Sequence, residues 1–361
     1  MSIEHVPGTA LTYHLIGFDA VGGELAVGPD GLASGRVAAA LAGGAATDVF
    51  VFAHGWLGDL PAASRRYGAW VAAMGRSRAD VELLGRHRPG FRPLFVGLHW
   101  PSRPWDDDEE LSSPGAGRRP SGSRLAPTLA RAYADAQERA HRLGEGSGRR
   151  LLADLQRAAR PGTGFHLLGH GFGCIAVSAM LAGGAGEVAP VGSLTLVQGT
   201  LSAFAYCADD PAAPGRPGRY HRAVEPAGVT GPVVVTRSAH DRVAGWLHPL
   251  AAAGAAQGGP VLGPGHGPVL GPGHGLVLGA LPRHGALGAL GARGLGARSA
   301  DLDARSTREG YRFEPGRLYN LEASGVIRRG ETIAGAHCDV TRPELAHAVW
   351  QAALASSRVP A

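Results

Sequence analysis

FHLLGHGFGCIAVSAML, Phe165 to Leu181, is the stretch on which the reading of the whole chain turns. Phe165–Leu168 is a short apolar run, as expected for a strand buried on both faces. Phe172 to Leu181 is read as a helix that begins directly after Gly171. Between strand and helix, Gly169, Gly171 and Gly173 are spaced G-x-G-x-G. So abrupt a strand-to-helix junction needs a tight turn, and flanking glycines let helix and strand approach closely.

Two kinds of junction compete for this pattern. In a dinucleotide-binding G-x-G-x-x-G turn the third glycine would fall at 174, which is Cys174, so that fingerprint fails. In a nucleophile elbow, G-x-S-x-G, the outer glycines Gly169 and Gly173 are in place and Gly171 stands where the serine would be. Glycine tolerates the positive φ of that turn, where serine is strained by roughly 1–3 kcal/mol. Loss of the serine therefore relaxes the turn while removing its attacking oxygen. No neighbour replaces it well. Cys174 and Ser178 lie further along the helix, with Cys174 expected against the sheet, and His170 is expected to turn away.

Working outward, short apolar runs alternate with helical patterns, the mark of βαβ units. Strands are expected at Leu11–Phe18, Asp48–Ala53, Pro93–Leu98, Val191–Val197 and Pro232–Thr236. Residues 60–76 read as an amphipathic helix and 124–159 as helix with a break at Gly144–Gly148. Residues 101–123 read as a loop with an acidic run, Asp106 to Glu110. Regular structure resumes near Leu318 and ends in a helix from Pro343 to about Ser356, with Thr341 expected as its cap.

Three further motifs carry chemistry. DVFVFAHGWLGD, Asp48–Asp59, ends a buried strand in His54-Gly55-Trp56, the usual start of an oxyanion-hole loop. Its N–H partner would be Phe172, and two such N–H groups stabilise negative charge on a tetrahedral intermediate. VVVTRSAHDRVAG places Asp241 just beyond a strand's C-terminal end, where open α/β sheets put their sites. AGAHCDVTRPELAHAVW places His337 in the loop before the last helix. The chain order is elbow, acid, histidine.

These features together resemble the α/β-hydrolase superfamily, esterase- or lipase-like, in particular its uncharacterised bacterial members. The resemblance covers residues 11–250 and 317–356. It implies an α/β-hydrolase fold: a mostly parallel, twisted sheet of about eight strands flanked by helices, in a single domain over 1–361. It also implies Gly171 at the lost nucleophile position, Asp241 as acid, His337 as base, and Trp56 and Phe172 as oxyanion donors on a loop opened by His54 and Gly55. The function expected is that of an inactive or ligand-binding relative of serine esterases, taking a small acyl or carbonyl ligand. The alternatives are weak ester hydrolysis by water activated through His337 and Asp241, or an active serine hydrolase carrying a serine-to-glycine change.

Composition bounds the rest. The 361 residues include 57 glycines, no lysine and 35 arginines, a balance read first as coding bias. The net charge of +5 comes from scattered arginines with no nucleic-acid motif around them, so no nucleic-acid partner is expected. Three cysteines, Cys174, Cys207 and Cys338, have no framework or zinc spacing, and neither metal nor cofactor is expected. The opening MSIEHVPGTALTYHL lacks the basic and apolar regions of a signal peptide, and no apolar stretch is long and unbroken enough to span a membrane, so a cytoplasmic location is expected. Residues 201–230 are read as part of a lid. PVLGPGHG at 260–267 recurs at 268–275, and 256–300 is read as a low-complexity mobile insertion. His266 and His274 are spaced by that repeat rather than by a metal site.

Overall fold

DVFVFA, Asp48–Ala53, is buried at every position, and that follows from its place in the sheet. A computed structural model describes residues 3–26, 31–56, 59–102, 122–183, 188–251, 285–330 and 334–356. Its strands are β1 (Ile3–His5), β2 (Thr12–Gly17), β3 (Asp48–Ala53), β4 (Pro93–His99), β5 (Gly164–His170), β6 (Ser193–Val197), β7 (Val233–Arg237), β8 (Ser299–Asp303) and β9 (Leu318–Glu322). They form one nine-stranded sheet in the order β1-β2-β4-β3-β5-β6-β7-β9-β8. Only the β1–β2 edge pair is antiparallel. The chain is thus an α/β protein with a mostly parallel sheet, as expected, and the described residues form nine strands rather than about eight. Of the three strands not named from the sequence, β1 and β8 lie at the edges, and β9, where regular structure was expected to resume near Leu318, lies beside β8. β8 (SADLD) has no buried residue and no apolar run to betray it.

The helices are α1 (Ala33–Ala42), α2 (Leu60–Arg76), α3 (Arg78–His87), α4 (Gly122–Leu143), α5 (Arg149–Ala158), α6 (Gly173–Ala182) and α7 (Pro343–Ala355). Parallel strands require crossovers, and these place helices on both faces. α1, α4, α5 and α6 pack together over a core that includes Val49, Val51, Leu167 and Leu194. α2, α3 and α7 cover the other face around Phe50, Phe52, Phe95 and Trp350. The alternating directions of residues along β3 divide it between the two cores.

Several local expectations need correction. The break at Gly144–Gly148 is a π-helical turn that carries α4 into α5 without interruption of the helical path. α6 presses against it there: a Cβ at Gly144 would lie 2.2 Å from the Ala176 carbonyl oxygen. The cap of α7 is Arg342 rather than Thr341, which lies outside the helix. No side chain caps that end, and Pro343 takes the first helical position, where its missing N–H costs nothing. Of the 256–300 stretch, residues 256–284 lie outside the described residues. Residues 285–300 are structured, with a helical turn at Leu287–Leu290 and with Leu287 and Ala292 in the core. Residues 201–230 are rich in turns and put Leu201, Tyr206, Tyr220 and Val224 into the same core. The acidic run Asp106–Glu110 and the PVLGPGHG repeats lie outside the described residues.

From β3 the chain crosses to β4 on one side and then returns to β5 on the other. This reversal makes the C-terminal ends of β3 and β5 the topological switch point, where open α/β sheets form a crevice.

Candidate functional site

The turn at Gly171 sits at that switch point, directly after β5. Gly171 has φ +57°, the left-handed conformation in which a side chain is strained. Its N–H donates to the Val197 carbonyl at 3.1 Å, and its own carbonyl accepts from Thr200 N–H at 3.3 Å and Cys174 N–H at 3.2 Å. Helix α6 starts two residues later, pressed onto β3 so closely that a Cβ at Gly173 would meet the Ala53 oxygen at 2.0 Å. The outer glycine is therefore required by packing.

Asp241 and His337 arrive at the same point from distant parts of the chain. Asp241 follows β7 and is 2% exposed. Its Oδ2 accepts from His337 Nδ1 at 2.8 Å and from Gln198 Nε2 at 2.8 Å, and its Oδ1 accepts from Ala244 N–H at 3.0 Å. His337 lies in a single 3-10 turn, Ala336–Cys338, before α7. The two loops are stitched together by the Ala336 N–H to His240 oxygen bond, 3.0 Å. Gly335 makes this approach possible. It has φ +59°, and a Cβ there would lie 2.6 Å from the His240 oxygen. With Nδ1–H given to Asp241, the neutral imidazole presents a lone pair on Nε2. That nitrogen is aimed at the turn: a Cβ built on Gly171 lies 3.0 Å from it.

His170, just before the turn, does not face away as the motif alone suggests. Its ring packs 4.8 Å from that of His337, and its Nε2 bonds the His337 carbonyl at 2.8 Å. Arg66 on α2 donates to His170 Nδ1 at 3.2 Å. Arginine can only donate, so Nδ1 accepts and Nε2–H is the donor to His337. Burial, with His337 and Arg66 nearby, holds His170 well below the usual histidine range. A neutral His170 of fixed tautomer thereby anchors the backbone that carries His337.

The loop after β3 packs against the turn as well. Gly55 Cα is 3.4 Å from the Cβ position of Gly171. His54 is 1% exposed and both ring nitrogens are engaged, Nδ1 with the Gly55 carbonyl at 2.8 Å and Nε2 with His99 Nδ1 at 3.2 Å and Trp100 N–H at 3.4 Å. Burial and then His99 push its pKa down to about 3, against a partial rise from the Gly55 carbonyl. His54 thus shapes the loop and offers no ring nitrogen to a ligand. Its backbone N–H donates to the Tyr67 hydroxyl at 2.9 Å, and its carbonyl accepts from Trp100 Nε1 at 3.2 Å.

Trp56 and Phe172 stand side by side, ring centroids 5.8 Å apart, and Tyr133 of α4 packs on both at 5.4 and 4.8 Å. Among the described residues the buried Nε1 of Trp56 has no hydrogen-bond partner. These rings put an apolar cluster, continuous with the core, beside the turn.

Cys174 and Ser178 are both inside the protein. The Cys174 thiol donates to the Gly169 carbonyl at 3.2 Å, and burial raises its pKa. The Ser178 hydroxyl donates to the Cys174 carbonyl at 2.6 Å and also meets the Tyr206 hydroxyl at 2.6 Å. Both groups are committed to structure.

The sequence-predicted residues Gly55, Gly171, Asp241 and His337 are brought together, with Trp56 and Phe172 beside them. Gln198, His170 and Arg66 carry roles that sequence reasoning missed. His170 is adjacent to the motif, but only the fold shows its ring meeting His337. Among the described residues no group of three or more His, Cys, Asp or Glu side chains could hold a metal ion, and no helix is long and apolar enough to cross a membrane. Comparisons with protein-family models, with curated proteins and with solved structures found no match.

Proposed function

We propose that this chain is an α/β-hydrolase-fold relative of serine esterases that has lost its nucleophile at Gly171 and binds a small acyl or carbonyl ligand. One observation carries the reading. A hydrogen-bonded acid–base pair, Asp241 and His337, is aimed at a strand-to-helix turn whose central residue has no side chain, with 3.0 Å between His337 Nε2 and the Cβ position. Such a pair has work to do when an oxygen stands at that position, where the imidazole takes its proton as general base and the carboxylate holds the ring in the right tautomer. Gly171 cannot form an acyl-enzyme. In this reading the α6 N-terminus and the loop at Gly55 and Trp56 would polarise a bound carbonyl, while Trp56, Phe172 and Tyr133 would hold the apolar part.

The test is hydrolysis of short-chain chromogenic acyl esters by the natural chain and by Gly171→Ser. The natural chain is expected to give no turnover above blank. Gly171→Ser is expected to exceed it by at least about 10²-fold, because in this reading a small shift of the His337 ring would bring the new hydroxyl within its reach. His337→Ala in the Gly171→Ser background is expected to remove that gain. Turnover by the natural chain that His337→Ala abolishes would replace this reading with water-based hydrolysis. A folded Gly171→Ser protein with no turnover would overturn the esterase ancestry.

A further inference from the structure

We infer that Gln198 is a positioning residue for Asp241 and, through it, for His337; this rests on the reading of Asp241 and His337 as an acid–base pair. Gln198 follows β6 directly, is 0% exposed, and has φ +47°. Among the described residues it is the one non-glycine residue in the left-handed region. A buried, unbranched polar residue is held in a conformation that costs energy, and such strain persists where the surroundings over-determine it.

The surroundings do so through a closed set of hydrogen bonds. The Thr236 hydroxyl of β7 accepts from Gln198 N–H at 3.1 Å and donates to Gln198 Oε1 at 2.9 Å. This fixes the amide with its NH2 group toward Asp241. Nε2 donates to Asp241 Oδ2 at 2.8 Å and lies 3.4 Å from the Gly288 carbonyl oxygen. A flipped amide would set Oε1 against a carboxylate and a carbonyl at once, so the orientation is determined by chemistry.

The oxygen that Gln198 binds is the one that accepts from His337 Nδ1. The amide therefore does two things. It holds the carboxylate in the plane that meets the imidazole, and it takes a share of the carboxylate charge that would otherwise act on His337. A residue that only joined the ends of β6 and β7 would need Oε1 and the backbone. Glycine would make the turn without strain. The donor end of the side chain serves Asp241.

Imidazole titration by NMR in the natural chain tests this without any need for activity. Gln198→Met is expected to raise the His337 midpoint by roughly half to one pH unit, because Asp241 then acts on the imidazolium alone. In the Gly171→Ser background the same change is expected to lower kcat for an acyl ester about ten-fold at unchanged KM. Gln198→Glu restores a donor only while its carboxyl is protonated. Its rate relative to the Gln198 parent is expected to fall as pH rises, whereas the uncharged Gln198→Met is expected to show its loss of kcat at every pH.

A folded Gln198→Met protein with an unmoved His337 midpoint would overturn the inference. If Gln198→Met does not fold, the His337 titration of Gln198→Glu decides instead, and a midpoint identical to the parent's would overturn the inference. If Gly171→Ser shows no turnover, the proposed function fails, and the NMR measurement still decides the role of Gln198.

Discussion

At the residue scale, the site depends on backbone positions that only glycine fills. Gly335 combines φ +59° with a Cβ position 2.6 Å from the His240 oxygen, whereas Gly8 has φ +72° in open space. Both alanine variants carry the conformational penalty, and only Gly335→Ala adds a collision with backbone. Gly335→Ala is expected to cost at least about 1–3 kcal/mol more than Gly8→Ala in denaturant unfolding, and to lower turnover in the Gly171→Ser background. Equal costs would show that the two loops part easily. Asp241 and His337 were legible from chain order and from their places beside a strand end and a final helix. Gln198 was not. Its partners Thr236 and Asp241 are 38 and 43 positions away, and nothing in the run Val197-Gln198-Gly199 marks a left-handed backbone.

At the element scale, β3 and α7 are tied across the sheet by buried polar and aromatic contacts. Asp48 at the start of β3 binds Arg88 and His166, and Arg88 also reaches the end of α7 at Ala353 and Ser356. Burial alone would raise the Asp48 pKa, but His166, Arg88 and Thr47 together bring it below the usual carboxylate range. Arg88→Met leaves a buried carboxylate with less compensation and strips the α7 carbonyls of their donor. It is expected to cost about 3–5 kcal/mol by chemical denaturation, and a loss below about 1 kcal/mol would contradict this account. Trp350 of α7 packs on Phe50 at 4.9 Å and donates from Nε1 to the Met74 carbonyl at 3.0 Å. The central strands were readable because parallel strands buried on both faces leave continuous apolar runs. The π-turn at Gly144–Gly148 was not, because it depends on the packing of α6 against it, and the capping-box spacing at Thr341 misled because Pro343 starts α7 with no side-chain cap.

At the scale of the whole molecule, buried histidines set the dependence of stability on pH. His54 titrates at about 3 in the folded protein and near 6.5 when unfolded. Between those values the unfolded chain binds the extra proton, so stability falls as pH falls, by about 1.4 kcal/mol per pH unit for this one group. Asp48, with its lowered pKa, contributes stability above the unfolded carboxylate value that is lost as pH falls through its folded value. His347 has the opposite sign. Burial pulls its pKa down, but hydrogen bonds to Asp80 and to the Glu309 carbonyl outweigh that, and the net shift is upward. Its contribution is full below the unfolded histidine value and is lost as pH rises through the raised folded value. Unfolding free energies measured across pH are expected to show His54→Gln flattening the acid limb, while His347→Gln costs more at low pH than at high pH. A His347→Gln penalty that grows with pH would contradict the assignment. The overall α/β plan could be read from alternating apolar runs, whereas the edge strands, the extent of order in 285–300 and the convergence of three loops on Gly171 required the fold.

The central claim is that Gly171 occupies a nucleophile position already served by His337. The most direct measurement is reaction of the natural chain, Gly171→Ser, and Gly171→Ser with His337→Ala with a fluorophosphonate probe, followed by peptide mass spectrometry. The account predicts one adduct, on the peptide carrying the substituted position 171, in the Gly171→Ser protein, with none in the natural chain and strong loss when His337 is also replaced. A folded Gly171→Ser protein that stays unlabelled, or labels as fast without His337, would contradict it.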